Sequence, residues 1–454
     1  MKLKWGFSEV WSLSLVIKIL LAILIPLSLD ESYYWVWGQN PQLSYYDHPP
    51  MVGWLFFLGR FFEYIGGASG RIPGVIVGHL TVFVWNEILK PYFTDKQRAL
   101  FALLIIASPL VGIGSLIQTP DVSFVFFWSL AIFALIRAFE TQTLRWYLVL
   151  GASLGLGFCS KYPTVLFIPA LFLYLGFEKK FREVKWFYAV CAVVVGLVFC
   201  SPVLIWNAQN DWISFKFQLS HGLRSQNWSP LWPLKYLVEQ FLFLFPAVVI
   251  FFVQSMKRKL VPQNLRLLYY FALFPFGFFL YSSFKARVEP NWPIAAYPAF
   301  MAIAFFSLEA SAWAKRTIVI WLVLFSVIVV ETFLPFIPVP PEKKKTTEFR
   351  KYDAFLAPAR DLEPLFADSY QLASSMSFRL KRQIPKLQGM SRKDFYDFFP
   401  PAHPNSDRFF VLIEGDSPLP EWALYEGFEV VTTTTVTDRL KIIEVRKRAK
   451  APNS

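Results

Sequence analysis

Two short segments carry the densest chemistry in this chain: Asp30-Glu31-Ser32-Tyr33-Tyr34, and then Tyr45-Tyr46-Asp47-His48-Pro49-Pro50-Met51. A carboxylate accepts protons and binds cations. An imidazole near neutral pH gives or takes a proton, or ligates a metal. The residues just before, Val10 to Leu29, are almost wholly apolar. Ionisable groups are costly to desolvate, so crowding them against a bilayer face implies a use for them. A plain solvated loop with a helix cap would carry Ser, Gly, Asn and Lys, not paired acids among aromatics.

Composition sets the environment. Of 454 residues, 55% are hydrophobic, 19% aromatic and 17% charged. Soluble domains carry about 25% charged residues, so the chain reads as a polytopic membrane protein. A net charge of +13 might suggest nucleic acid, but the cations sit mostly in short loops between apolar spans. That is the pattern of membrane orientation, and no nucleic-acid partner is expected. Cys159, Cys191 and Cys200 lie in or beside spans without metal spacing and read as small apolar residues. Met1-Lys2-Leu3-Lys4 precedes the first span without a small-residue cleavage site after it, which reads as an anchor.

Apolar stretches long enough for a hydrocarbon core of about 30 Å recur at 10–29, 72–89, 99–117, 120–137, 146–160, 163–177, 186–205, 234–254, 267–282, 293–310 and 317–335. These predict about eleven transmembrane helices. Lys90, Lys96, Arg98, Arg137, Arg145, Lys179, Lys180, Arg182, Lys185, Lys257, Arg258, Lys259, Arg266, Lys315 and Arg316 fall in one set of alternate loops. The other set is sparser, with Arg60, Arg71, Lys161, Lys216, Arg224, Lys285 and Arg287. The positive-inside rule makes the first set cytoplasmic, and an odd span count leaves the C-terminal region outside.

From about Phe336 the character changes. Pro335, Pro338, Pro340 and Pro341 end the last span, and Lys343-Lys344-Lys345 follows as a solvated juxtamembrane face. No later stretch is long enough to cross. Strands are predicted at 409–413, 428–431 and 441–445 and a helix over 368–381, giving a small mixed domain. The organisation is a transmembrane domain at 1–337, with an outer first loop at 30–71, and a small α/β domain at 338–454.

The polar motifs gather on the sparse, outward side. They are Gln118-Thr119-Pro120-Asp121, Ser160-Lys161-Tyr162-Pro163, Trp206 to Trp212, and Lys285-Ala286-Arg287-Val288-Glu289-Pro290-Asn291-Trp292-Pro293. Singly each has a plain account: Asp121 caps a helix, Lys161 snorkels, and Lys285 and Arg287 meet lipid phosphate. Together they predict one cavity at the outer membrane surface. Its carboxylates would accept protons, its cations would bind anions, and its Trp and Tyr rings would suit sugar faces. No glycine-rich phosphate loop appears for a nucleotide. A lipid phosphate carrying a sugar fits each element.

These motifs resemble the GT-C superfamily of integral-membrane glycosyltransferases. Within it, they are most similar to the bacterial branch that includes the lipid A aminoarabinose transferase and the protein O-mannosyltransferases. The resemblance rests on Asp30-Glu31, Ser44-Tyr45-Tyr46-Asp47-His48-Pro49-Pro50-Met51, Thr119-Pro120-Asp121, Ser160-Lys161-Tyr162, Glu289-Pro290-Asn291-Trp292-Pro293 and Asp368-Ser369-Tyr370-Gln371-Leu372-Ala373. It implies an all-α polytopic GT-C membrane fold with a small α/β periplasmic domain, in a bacterial inner membrane. It also implies transfer of a sugar from a polyprenyl-phosphate donor on the periplasmic face. The implied catalytic residues are Asp30 as general base, Glu31 beside it and Asp121 as a second acid.

Tyr46, Asp47, His48, Lys161, Lys285, Arg287 and Glu289 form the candidate substrate-binding set. Where the aminoarabinose transferases carry Glu-Lys-Pro, this chain has Asp47-His48-Pro49. A neutral histidine binds phosphate more weakly than lysine, so either Lys161, Lys285 or Arg287 compensates, or Asp47 and His48 hold a divalent metal. The expected acceptor is lipid A, a lipopolysaccharide core sugar or another envelope glycoconjugate, with a protein hydroxyl as the alternative. A lipid-linked sugar transporter is the rival from another class. Transporters, however, keep ionisable groups near the midplane and often show internal repeats.

Overall fold

The computed structural model describes residues 5–223, 229–340, 344–398 and 404–448. Lys2, Lys4, Arg224 and Lys343 of the segments above lie outside them. The helices, in chain order, are α1 (Phe7–Leu24), α2 (Leu29–Gln39), α3 (Met51–Gly59), α4 (Ile72–Leu89), α5 (Asp95–Ala107), α6 (Pro120–Thr141), α7 (Leu144–Ser160), α8 (Phe167–Phe177) and α9 (Trp186–Gln209). They continue as α10 (Ile213–Leu223), α11 (Leu231–Leu244), α12 (Pro246–Lys257), α13 (Leu267–Ser283), α14 (Tyr297–Leu308), α15 (Ala312–Phe333), α16 (Tyr370–Leu380) and α17 (Glu421–Tyr425). The strands are β1 (Leu365–Ala367), β2 (Arg408–Glu414), β3 (Phe428–Thr435) and β4 (Leu440–Lys447).

The chain divides into two compact units: Met1–Ile25 with Gln42–Val329, and Pro26–Pro41 with Val330–Ser454. The first unit is helical. Among the described residues, six helices are long and apolar enough to cross a membrane, and two bent pairs bring the number to as many as eight. Three shorter apolar helices, Leu144–Ser160, Tyr162–Phe177 and Ile294–Leu308, fall on the remaining predicted spans. The bends follow the sequence. Ser108 caps a π-type turn from Pro109 to Ile113, so α5 and its continuation meet at 73°. Phe245 takes φ 70° before Pro246, and α11 and α12 meet at 90°.

Aromatic packing fills this unit, with Trp85, Phe101, Trp128, Phe167 and Phe271 wholly or nearly buried. Phe252 and Phe300 stack at 3.8 Å, and Trp85 Nε1 donates to Ser129 Oγ at 2.9 Å. Helices α7 and α9 approach through small residues. A Cβ on Gly151 would stand 2.1 Å from the Ala192 carbonyl oxygen, so only glycine permits that contact.

The second unit holds a four-stranded sheet of order β1-β2-β4-β3, parallel between β1 and β2 and antiparallel elsewhere. Phe366, Phe409, Val411, Ile443 and Val445 form its core. The predicted helix and three strands are present. The short β1 gave no run to read in sequence. The segment after the first span is not a loop throughout: α1 ends at Leu24, and the chain restarts as α2. Ser28 Oγ accepts from the Glu31 N–H at 3.3 Å while Glu31 Oε2 accepts from the Ser28 N–H at 3.0 Å, a reciprocal cap.

Helix α2 packs on α16 within this unit. The Tyr33 and Tyr370 rings lie 4.5 Å apart, and Tyr33 Oη accepts from the Phe395 N–H at 2.8 Å. Phe395 is held in turn by a buried charge cluster. Lys386 Nζ donates to Asp394 Oδ2 at 2.7 Å, Asp397 Oδ2 at 2.6 Å and the Arg392 carbonyl at 2.9 Å. Lys386→Met would strand two carboxylates without their counter-charge, a loss of about 3–5 kcal/mol. Amide hydrogen exchange across 386–398 in the full chain should rise sharply, and unchanged protection would contradict this account.

Candidate active site

Asp121 is presented by local chemistry. Thr119 is extended at the N-cap of α6, Pro120 occupies the first helical position and Asp121 lies in the first turn, where free N–H groups favour a carboxylate. Two other segments reach it. Helix α7 ends at Ser160, and extended Lys161 donates from Nζ to Asp121 Oδ1 at 2.5 Å. Asn291 Nδ2 donates to Asp121 Oδ2 at 2.6 Å. Both charged side chains are only 12% exposed, so the pair is screened little by solvent.

Asp121 and Asn291 line a cavity of about 190 Å³, whose walls also include Thr81, Ser115, Thr119 and several aliphatic residues. Behind the wall, Lys18 of α1 is buried and donates from Nζ to Ser115 Oγ at 2.7 Å. Gln118 steadies the approach to α6: its Oε1 accepts from the Gly74 N–H at 3.2 Å, and its Nε2 donates to the Val52 carbonyl at 3.3 Å.

From Ser44 to Pro50 the segment before α3 is largely buried. Gln42 is a hub, its carbonyl accepting from Trp54 Nε1 at 2.9 Å and its side-chain oxygen from Trp206 Nε1 at 3.2 Å. Its N–H donates to Tyr45 Oη at 3.1 Å, and burial pushes the Tyr45 phenol above its ordinary value. Asp47 is buried and His48 half-buried. Gln218 Nε2 donates to the Asp47 carbonyl at 2.6 Å, and the Tyr46 ring lies 4.7 Å from Phe217. Among the described residues, no group of three or more His, Cys, Asp or Glu stands ready for a metal, so Asp47 and His48 gain no third ligand of those types.

The other predicted residues divide. Asp30 is exposed in the first turn of α2, whereas Glu31 is fully buried in the reciprocal cap. Arg287 Nε pairs with Glu289 Oε1 at 3.2 Å on the surface, and Lys285 lies 4.5 Å over the Tyr281 ring. These three are exposed, and from their motif it is Asn291 that reaches the cavity. Lys161, expected as an anion ligand, pairs with Asp121 here. Asn291 and Lys18 were not selected from sequence. The signal for Lys18 was a lysine inside an apolar span.

Comparison with known proteins adds to this geometry. Residues 47–206 match the model of the dolichyl-phosphate-mannose-protein mannosyltransferase family. The lipid A galacturonosyltransferase RgtD of Rhizobium johnstonii is 26% identical over 303 residues, 63% of this chain and 61% of that protein. RgtA of the same organism, a lipopolysaccharide core galacturonosyltransferase, is 27% identical over 42% of this chain and 39% of its own length. The undecaprenyl phosphate-alpha-4-amino-4-deoxy-L-arabinose arabinosyl transferase 2 of Pseudomonas fluorescens is 25% identical over 50% of this chain and 47% of its own. The chain thus spans less than two thirds of the length of these relatives.

Crystal structures of ArnT from Cupriavidus metallidurans match over 96% of this chain and 97% of theirs. The TM-score is 0.66 for the apo state and 0.67 for the form bound to undecaprenyl phosphate, at 13% and 14% identity. The chain has that fold. The resemblance to bacterial GT-C glycosyltransferases drawn from the motifs is borne out in sequence and in fold.

Two ligands rarely make a metal site unaided, which is the reason to expect a phosphate role for His48. His48→Lys, which installs a fixed positive charge, should then retain or raise activity, with no effect of chelators. Loss of activity on chelation, restored by zinc or manganese, would reverse that assignment.

Proposed function

We propose that this protein is a multi-pass inner-membrane glycosyltransferase that moves a sugar from a polyprenyl-phosphate donor to lipid A, lipopolysaccharide or another envelope glycoconjugate. The observation that carries the reading is the sequence relationship to the lipid A galacturonosyltransferase over 303 residues. The fold shared with an ArnT bound to undecaprenyl phosphate supports the donor class. The family model's own description favours a second acceptor, a protein hydroxyl.

The mechanism is a single displacement. Asp30 takes the proton of the acceptor hydroxyl as its oxygen attacks the anomeric carbon. The bond from that carbon to the phosphate oxygen breaks, and the lipid phosphate leaves with the electron pair. Without an enzyme nucleophile the carbon inverts. Lys285 and Arg287 are the cations for the departing phosphate, His48 is a further phosphate ligand, and Tyr46 and Glu289 order the sugar. Lys161 orients Asp121 through the contact to its Oδ1, and Asp47 anchors the first outer segment. The exposure of Asp30 suits a base that must meet substrate.

The topology follows from the cation asymmetry. The eleven predicted elements cross the membrane, with each bent pair counted as one span, and the active site and tail are periplasmic. Single cysteines replacing exposed Lys285 and Tyr425 should label from outside, and one replacing Lys257 only after permeabilisation. Labelling of the tail from the cytoplasm would overturn the orientation.

Asp30→Asn keeps the shape but cannot accept a proton, so transfer by purified enzyme should fall about 100-fold or more with the protein still folded. Glu31→Gln should cost less, because glutamine also serves the cap. Activity of Asp30→Asn near that of the natural protein would remove this mechanism.

A further inference from the structure

The second unit holds a cavity of about 140 Å³ that the sugar-transfer chemistry does not use. Its walls include Pro26, Leu27, Arg350, Asp353, Phe378 and Arg379. That volume is well above the ~15 Å³ needed for one water. Two guanidinium groups meet there. Arg379 is fixed: it donates from Nη1 to Asp353 Oδ1 and from Nη2 to the Phe349 carbonyl, and its side chain is 17% exposed. Arg350 is exposed on the wall. Burial and the nearby Arg350 charge both hold Arg379 below its ordinary value, so the two cations feel each other.

Outside the lining, Lys381 Nζ lies 4.0 Å from the centre of the Phe378 ring. Among the lining residues Asp353 supplies one negative charge against the two guanidinium groups, so the lining keeps a net positive character. Like charges do not gather around a partly enclosed space without cost, and an anion between them relieves it. Planar guanidinium forks match the oxygens of a phosphate or carboxylate.

Location narrows the anion further. Pro26 follows Leu24, the last residue of α1, by two positions, about 7 Å of chain at most. Helix α1 is one of the six long enough to cross. Pro26 is therefore joined within two residues to a helix long enough to cross a membrane, and the abundant anions at a membrane surface are lipid phosphates. Phe378, Pro26 and Leu27 provide apolar surface of the kind that accompanies a lipid headgroup.

We propose that this cavity binds a phosphate ester carried by a lipid, gripped by Arg379 and Arg350. The ester belongs either to a phosphorylated acceptor or to a bulk anionic phospholipid. The proposal depends on the chain being a membrane protein but not on sugar transfer, and its test is read without any transfer assay.

The test is binding of defined lipids to the detergent-purified full chain, followed by native mass spectrometry. The probes are lipid A bearing its phosphates, the same lipid A dephosphorylated, phosphatidylglycerol and diacylglycerol. The natural protein should bind the phosphorylated member of each pair about tenfold more tightly than its neutral counterpart. Arg350→Gln and Arg350→Glu should erase that preference, and Arg350→Lys should keep part of it. Since Arg350 is exposed, these variants should fold. A preference confined to lipid A assigns the cavity to the acceptor, and one shared with phosphatidylglycerol assigns it to any anionic headgroup. Equal binding of phosphorylated and neutral lipids by the natural protein would overturn the proposal. So would a preference that survives Arg350→Glu.

Discussion

The ion pair between Asp121 and Lys161 is the constraint around which the helical unit is arranged. A lone carboxylate with so little water around it would be costly. Here its two oxygens are taken by a lysine ammonium and an asparagine amide from different parts of the chain. The first turn of α6, the end of α7 and the segment before α14 are thereby tied at one point. Removing either charge would leave the other desolvated, which costs more than the pair itself is worth. The three groups are thereby held in a fixed mutual geometry.

A comparable logic runs through the second unit. Asp30 is held by a short helix whose cap uses Glu31 and whose next turn places Tyr33 against Tyr370 and beneath the Phe395 amide. The segment Asp368 to Ala373, which looked in sequence like an isolated motif of the tail, leads into and begins the helix on which α2 rests. Two motifs more than three hundred positions apart thus form one body. The neighbouring Lys386 cluster extends this, fixing the loop that supplies the Phe395 donor.

Much of this was legible in the sequence. Apolar length marked the helical elements because desolvating a peptide backbone permits few alternatives. The motif order marked the family resemblance. The failures have physical causes. Helix α2 was read as loop because its signal, Ser28 three residues before Glu31, sits among acids and aromatics that suggested a site. Lys285, Arg287 and Glu289, chosen for their charge, lie exposed outside the lining of the cavity beside Asp121. Their motif reaches the cavity through neutral Asn291, whose type carries no titration signal. Lys161 and Asp121 were both selected from sequence, but that they pair could be seen only once the end of α7 and the start of α6 were seen together.

The central claim is that the chain adds a sugar to an envelope glycoconjugate. Mass spectrometry of lipids and proteins from cells with and without the protein tests it most directly. The account predicts a glycosylated lipid A or lipopolysaccharide species that vanishes with the protein and returns with the natural chain but not with Asp30→Asn. Unchanged envelope glycans, or a lipid-linked sugar that accumulates on one side of the membrane without ever being transferred, would contradict it.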